Sequence, residues 1–252
     1  WSRVWFADGF EDPGEFIFVN LQVSEEKYLK KGFKFRFKNY VTLGSSTSPS
    51  LVVNCDYWHI DYVYLNRNRS ANDVVMPDLA LNKPLVSLLE GYESVPWDHY
   101  KANPTISLKD QISIQYVNND ENAKLIDSIN FRLVDLSGNS EVQKGEGGTK
   151  IVQPFQQETF NYLFGSSPFH FPSNNEEFCD FSLSVNLKLQ STDSSQNNSA
   201  YYTQKFRDYY AYDDGSAEAG YGIYGSGTKF GTVALRFDPL AADDLNGVYM
   251  YF

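Results

Sequence analysis

Along much of the chain, apolar and polar residues alternate one by one. Residues 32–40 (GFKFRFKNY) set Phe33, Phe35 and Phe37 against Lys34, Arg36 and Lys38, the period-2 pattern of a strand with one buried face. Residues 16–23 (FIFVNLQV) alternate in the same way. Residues 58–66 (WHIDYVYLN) put Trp58, Ile60, Tyr62 and Tyr64 on one face and His59, Asp61 and Val63 on the other. Segments 106–118, 128–138 and 181–190 repeat the device, and 230–237 and 245–252 read as further strands. Polar stretches separate them, at 42–50, NNDENAK (118–124), GNSEVQKGEGG (138–148) and QSTDSSQNNS (190–199), and these read as loops.

One stretch departs from that period. Leu85, Leu88 and Leu89 in KPLVSLLEGY (83–92) recur at helical spacing, so a short core-facing helix is expected there. Pro77, Pro84 and Pro96 forbid a longer one. From about 105 to 208, several short strands punctuated by Gly, Asn, Asp and Ser predict an immunoglobulin-like sandwich. The Cys…Trp…Cys framework of a true immunoglobulin domain is missing.

Composition supports strands. Aromatics make up 16% of the chain, with 18 Tyr and 19 Phe, and such side chains suit a half-buried pleated surface. The net charge of -11, with 21 basic residues outnumbered by 32 acidic ones, argues against a nucleic-acid surface. An acidic, Asn- and Ser-rich exterior serves solubility. Cys55 and Cys179 fit either a disulfide or two separate buried thiols, and without a CxxC spacing they do not make a zinc or redox motif. Three histidines do not support a histidine-based metal site. No stretch approaches the roughly 20 apolar residues of a membrane helix. The chain opens inside a patterned segment and stops in what reads as a strand, so a piece of something longer is expected.

Candidate chemistry concentrates in a few places. Residues 208–223, DYYAYDDGSAEAGYGI, hold Asp213, Asp214 and Glu218. An acid pair for glycoside hydrolysis needs carboxylates about 5–10 Å apart across a cleft. Calcium wants carboxylates at alternate loop positions. Asp-Gly instead favours a tight turn whose carboxylates cap neighbouring amides, and that is the expectation here, with calcium as the metal reading. His59 and Asp61 share a strand face beside Trp58, an arrangement open to acid–base work, but no GxSxG nucleophile motif accompanies them. Trp58 and Trp97, with His59, Asp61 and His99 nearby in sequence, are the candidates for an aromatic platform that stacks on sugar rings. Asn68 and Asn197 head formal N-glycosylation triplets.

Taken in order, KGFKFRFKNY, DYWHIDYVYLN with NRS, VPWDHY and DYYAYDDGSAEAGYGI resemble a set found in large secreted or cell-surface proteins of Bacteroidota, many carrying a type IX secretion signal. The resemblance implies lectin-like jelly-roll modules alternating with an immunoglobulin-like one. On that pattern, residues 1–103 close one jelly roll, 104–208 form the immunoglobulin-like sandwich, and 209–252 open the next jelly roll. The all-β fold class follows: tandem sandwiches with partial modules at the chain ends. The family's O-glycosylation pattern matches Asp127-Ser128-Ile129 and nominates Ser128. The implied function is a non-enzymatic, outer-membrane-associated surface or secreted protein, acting as adhesin, scaffold or type IX cargo. Its partners would be other surface or secretion-machinery proteins. The alternative is a carbohydrate-binding module, calcium-assisted, belonging to a larger surface protein or glycoside hydrolase.

Overall fold

Strand pairing is concentrated between Leu79 and Phe206. The computed structural model describes residues 1–7, 17–40, 58–67, 70, 72, 75–104, 108–164, 170–190, 195–216 and 229–250. Contacts divide the chain into one unit of residues 1–74 with 217–234 and another of 75–216 with 235–252. The second unit holds β1 (Leu79–Leu81), a helix α1 (Trp97–Ala102), β2 (Gln111–Asn118), β3 (Lys124–Asp135), β4 (Ser140–Gly147), β5 (Lys150–Val152), β6 (Gln157–Leu163), β7 (Cys179–Leu189) and β8 (Ser199–Phe206).

These strands form two antiparallel sheets, one in the order β1-β2-β6 and one in the order β4-β3-β7-β8, with β5 also pairing with β3. Successive strands cross from sheet to sheet, from β2 to β3, from β5 to β6 and from β6 to β7, before β7 and β8 close as neighbours. That is the connectivity of an immunoglobulin-like sandwich. The fold is therefore all-β, a sandwich of two antiparallel sheets.

The alternation explains the core. Along β7, Cys179, Phe181, Leu183, Val185 and Leu187 turn inward between polar neighbours. Ile112, Ile114 and Tyr116 of β2 and Phe131 and Leu133 of β3 meet them from the facing strands. Burying a side chain of this size contributes about 2 kcal/mol, so the interleaved faces hold the two sheets together.

Three expectations shift. The sandwich begins well before residue 104: Leu79, Leu85, Leu88, Leu89, Val95, Trp97 and Tyr100 belong to the same core as β2–β8, and Ala211 pairs with Ser94 beyond the expected boundary at 208. The helix lies at Trp97–Ala102, not within 83–92. Leu85, Leu88 and Leu89 are buried as expected, but from an extended segment in which Leu89 bridges to Leu108. The amides of Leu88 and Leu89 bond Gln204 Oε1 and Ser87 Oγ in place of helical carbonyls, and Gly91 sits at φ +72°. Finally, GNSEVQKGEGG, read as a loop, carries β4. Among the described residues it is an edge strand paired with β3 alone, and edges admit the Glu, Lys and Gly that central strands exclude.

The described parts of 16–23, 32–40, 58–66, 230–237 and 245–252 carry no strand ladder. Period-2 faces persist locally: the Phe33 and Phe35 rings lie 6.4 Å apart and those of Phe35 and Phe37 5.9 Å apart. Alternation specifies a face; a ladder also needs a hydrogen-bonded neighbour, and none pairs with these segments among the described residues. Among the described residues no helix is long and apolar enough to cross a membrane.

Candidate functional site

One end of the sandwich holds Trp97, His99 and Cys179 among the side chains that the sequence singled out. There, residues 93–97 run beside 207–211. The amide of Glu93 donates to the Ala211 carbonyl at 2.8 Å, Ala211 N to Ser94 O at 3.0 Å, and Trp97 N to Arg207 O at 3.0 Å. A bidentate pair from the Arg207 guanidinium to Asp180, at 2.6 and 3.0 Å, ties this junction to β7. The pairing aims α1 into the core. Trp97 stacks on Tyr100 with ring centroids 5.3 Å apart and meets Phe206 at 4.8 Å. Its indole N–H donates to Asn174 Oδ1 at 3.0 Å, and Asn174 Nδ2 reaches Cys179 Sγ at 3.3 Å.

Trp97 is only 1% exposed. Both ring faces lie against protein, so it offers none to a sugar, and this corrects its assignment to a stacking platform. Its place is in the core of the second unit, whereas Trp58, His59 and Asp61 belong to the first. There Trp58 is 44% exposed and stands edge-on to Trp5 at 6.1 Å. His59 and Asp61 are also exposed. Asp61 Oδ1 accepts the amide of Tyr62 at 2.7 Å, where the backbone takes φ +53°.

The acidic segment folds as a turn. Asp213 Oδ1 accepts the amide of Gly215 at 3.0 Å, with Gly215 at φ +95°. Asp214 Oδ1 accepts the amide of Ser216 at 2.9 Å and its hydroxyl at 2.5 Å. The Ser216 hydroxyl, then its amide, hold the Asp214 carboxyl below its ordinary range. Both carboxylates thus cap amides, as an Asx-turn requires. Glu218, the third member of the calcium reading, lies outside the described residues. Among the described residues no three His, Cys, Asp or Glu side chains converge as metal ligands would.

Ser128 is buried in β3, beside the bulge that separates Ile126 from Ser128 in the pairing with β7. Its hydroxyl accepts from Asn130 Nδ2 at 2.9 Å. A glycan there would force the strand open, so the three-residue O-glycosylation match is set aside for the folded sandwich. Asn197 is likewise engaged, its Nδ2 donating to Asp78 Oδ2 at 2.5 Å. Asn68 lies outside the described residues, as does Cys55. Cys179 carries a free thiol, and burial pushes its pKa up.

Two polar clusters escaped the sequence reading. In the loop 118–124, Asn118 Nδ2 reaches the carbonyls of Asn122, Val152 and Gln153 at 2.9–3.2 Å, while its Oδ1 caps the Asp120 amide. Asp120 Oδ1 accepts the amide of Asn122 at 2.9 Å, and its Oδ2 lies 2.9 Å from Lys124 Nζ with both side chains buried. Burial alone would raise the Asp120 pKa; the Lys124 ammonium and the Asn122 donors outweigh it and hold it low. The alternate-position pattern Asn-x-Asp-x-Asn was visible in the sequence and resembles a cation loop. Lys124 supplies that cation from within the chain.

The second cluster surrounds Gln204 on β8. Gln204 Oε1 accepts the Leu88 amide at 2.8 Å and lies 2.9 Å from Ser87 Oγ, while Nε2 donates to Glu93 O at 2.9 Å. Tyr202 donates its hydroxyl to Glu93 Oε2 at 2.5 Å. Burial first, then Glu93, raise the Tyr202 pKa well above the usual tyrosine value. These groups pin the irregular segment 85–95 to the sheet. A lone Gln on a strand gives no sign of that in sequence. Compared with models of known families and with curated proteins, the chain matches neither a family model nor a curated protein.

Proposed function

We propose that the chain is a non-enzymatic β module of a larger secreted or cell-surface protein, serving as a scaffold or contact element between neighbouring domains. The carrying observation is the sandwich end, where Trp97, Tyr202, Gln204, Asp213 and Asp214 all meet partners within the fold. Side chains committed in this way position one element on another. The acidic surface, at net charge -11, suits an exterior setting. The resemblance to Bacteroidota surface proteins supports export through type IX machinery. Immunolabelling and protease shaving of intact cells test it, in parent and secretion-deficient strains. Label and cleavage on parent cells alone are expected; a chain protected inside both strains overturns the reading.

A carbohydrate-binding role is the second reading, favoured by half-exposed Trp58 beside Trp5. Exposed indole faces stack on sugar rings. A glycan array with and without calcium, repeated with Trp58→Ala, is the check. Binding lost in the variant supports this role; an empty array, or binding indifferent to the substitution, removes Trp58 as its site.

A further inference from the structure

We infer that the sandwich carries, at its β2–β3 loop, a binding site for one neutral sugar ring, built around the buried Asp120–Lys124 pair. A cavity of about 350 Å³ opens there, lined by Asp120, Asn122, Ala123, Lys124, Leu125 and Gln190. That volume lies at the small end of the range for small-molecule sites, so it suits a single ring rather than a chain of them. The site belongs to the second unit and does not depend on Trp58, which belongs to the first.

The walls are fixed before a ligand arrives. Asn118 Oδ1 caps the Asp120 amide at 3.0 Å, and Asn118 Nδ2 holds the Asn122 carbonyl at 2.9 Å. Asp120 Oδ1 takes the Asn122 amide at 2.9 Å and Asn122 Nδ2 at 3.2 Å. Gln190, one residue past β7, donates its amide to Leu125 O at 3.4 Å, which brings it to the same rim. Leu125 in turn pairs with Ile151 of β5. A site held in this way loses little affinity to reordering.

Its hydrogen-bonding groups are only partly used. Lys124 Nζ carries three protons and gives one to Asp120 Oδ2 at 2.9 Å; among the described residues nothing takes the other two. Asn122 Oδ1 and the Gln190 side-chain amide likewise meet no partner among the described residues. Charge narrows the ligand. Asp120 and Lys124 cancel each other, with side chains 8% and 10% exposed. An anion drawn to the ammonium meets the carboxylate as well, and the ammonium repels a cation. A neutral ligand that both donates and accepts fits this set. One hydroxyl oxygen accepts from Lys124 while its own proton goes to Asn122 Oδ1, and a neighbouring hydroxyl bonds the Gln190 amide. The carbon-bound face of the ring then covers Ala123 and Leu125, the apolar part of the lining. Adjacent hydroxyls on a carbon ring are the chemistry of a sugar.

An NMR titration of the full chain tests the site. Glucose, galactose, mannose and N-acetylglucosamine are added separately to about 50 mM, above the millimolar dissociation constant expected for a few hydrogen bonds to one ring. With at least one of them, the amides of Asp120, Asn122, Leu125 and Gln190 are expected to shift and saturate, while Leu183 in the core stays still. Ala123→Phe, at an exposed position whose new ring fills the cavity, should abolish those shifts and keep the rest of the spectrum. Gln190→Ala should weaken binding roughly fivefold, the worth of one hydrogen bond. Silence with all four sugars overturns the inference, as do shifts that persist in Ala123→Phe or an affinity unchanged in Gln190→Ala. Inorganic phosphate and calcium chloride are titrated alongside; saturable shifts at these amides with an ion and with no sugar would also overturn it. Shifts confined to the surroundings of Trp58 would support the sugar site of the first unit and sink this one.

Discussion

Trp97 and Gly145 illustrate how one position can be decided by what lies across from it. Replacing Trp97 by Ala removes the ring that fills the space among Tyr100, Phe181 and Phe206. A loss of about 3–5 kcal/mol is expected in urea unfolding. At Gly145 the constraint is reversed. An added Cβ would stand 2.2 Å from Phe131 Cε1 and 2.5 Å from Tyr162 Cε2, inside two rings whose own centroids are 4.3 Å apart. Gly145→Ala should therefore destabilise by about 1–3 kcal/mol, with a lowered thermal midpoint as the readout, although alanine suits a strand better than glycine does. Neither outcome is visible in the residues themselves. A tryptophan in VPWDHY is as compatible with a surface platform as with a core, and a glycine in QKGEGG reads as loop until the ring facing it is known.

Elements were legible where pattern alone determines them. Strands β2, β3 and β7 lie within or across the alternating runs at 106–118, 128–138 and 181–190, because an inward face of Ile, Phe, Leu and Val repeats every second residue. Strands β1, β4, β5, β6 and β8 were missed; β4 sits at the margin and carries Glu, Lys and Gly, so its pairing with β3 comes from chain reversal rather than from a face. That reversal rests on a short turn. Asp135 Oδ1 caps the amide of Ser137 at 2.8 Å and takes its hydroxyl at 2.7 Å, and Asn139 adopts φ +47°. Asn tolerates this left-handed backbone and a β-branched residue does not. Asn139→Val is expected to cost about 1–2 kcal/mol and to broaden the amide resonances of β4 before those of β7. The turn at 213–216 was foreseen by the same chemistry, since the Asp-Gly signal is local. The Gln204 and Asn118 clusters were not, because their partners lie on other strands and loops.

At the scale of the whole molecule, buried tyrosines give the sandwich a defined alkaline limit. Burial, then the Glu158 charge, push Tyr116 from 10.0 up to about 12. Burial raises Tyr100 further still, against the hydrogen bond its oxygen accepts from the Phe171 amide at 2.7 Å, and Tyr202 moves the same way beside Glu93. The unfolded chain loses these protons first, so between about pH 10 and about pH 12 it binds fewer protons than the folded form and stability falls as pH rises. Stability should be flat below about pH 10 with respect to these groups and decline above it in denaturant titrations. Tyr116→Phe should make that decline shallower. A profile unchanged by the substitution would mean that Tyr116 ionises alike in both states.

Cys179 opens β7, the strand that β3 and β8 both pair with, and its sulfur sits behind Asn174 and Trp97. An alkylating reagent can reach it only when that corner of the sandwich comes apart. The rate at which iodoacetamide marks the peptide around Cys179, set against the rate for the same peptide in urea, is thus a clock for core opening that needs no engineered label. Peptide mapping of the marked chain ties the label to Cys179 and so times the opening of the sandwich itself.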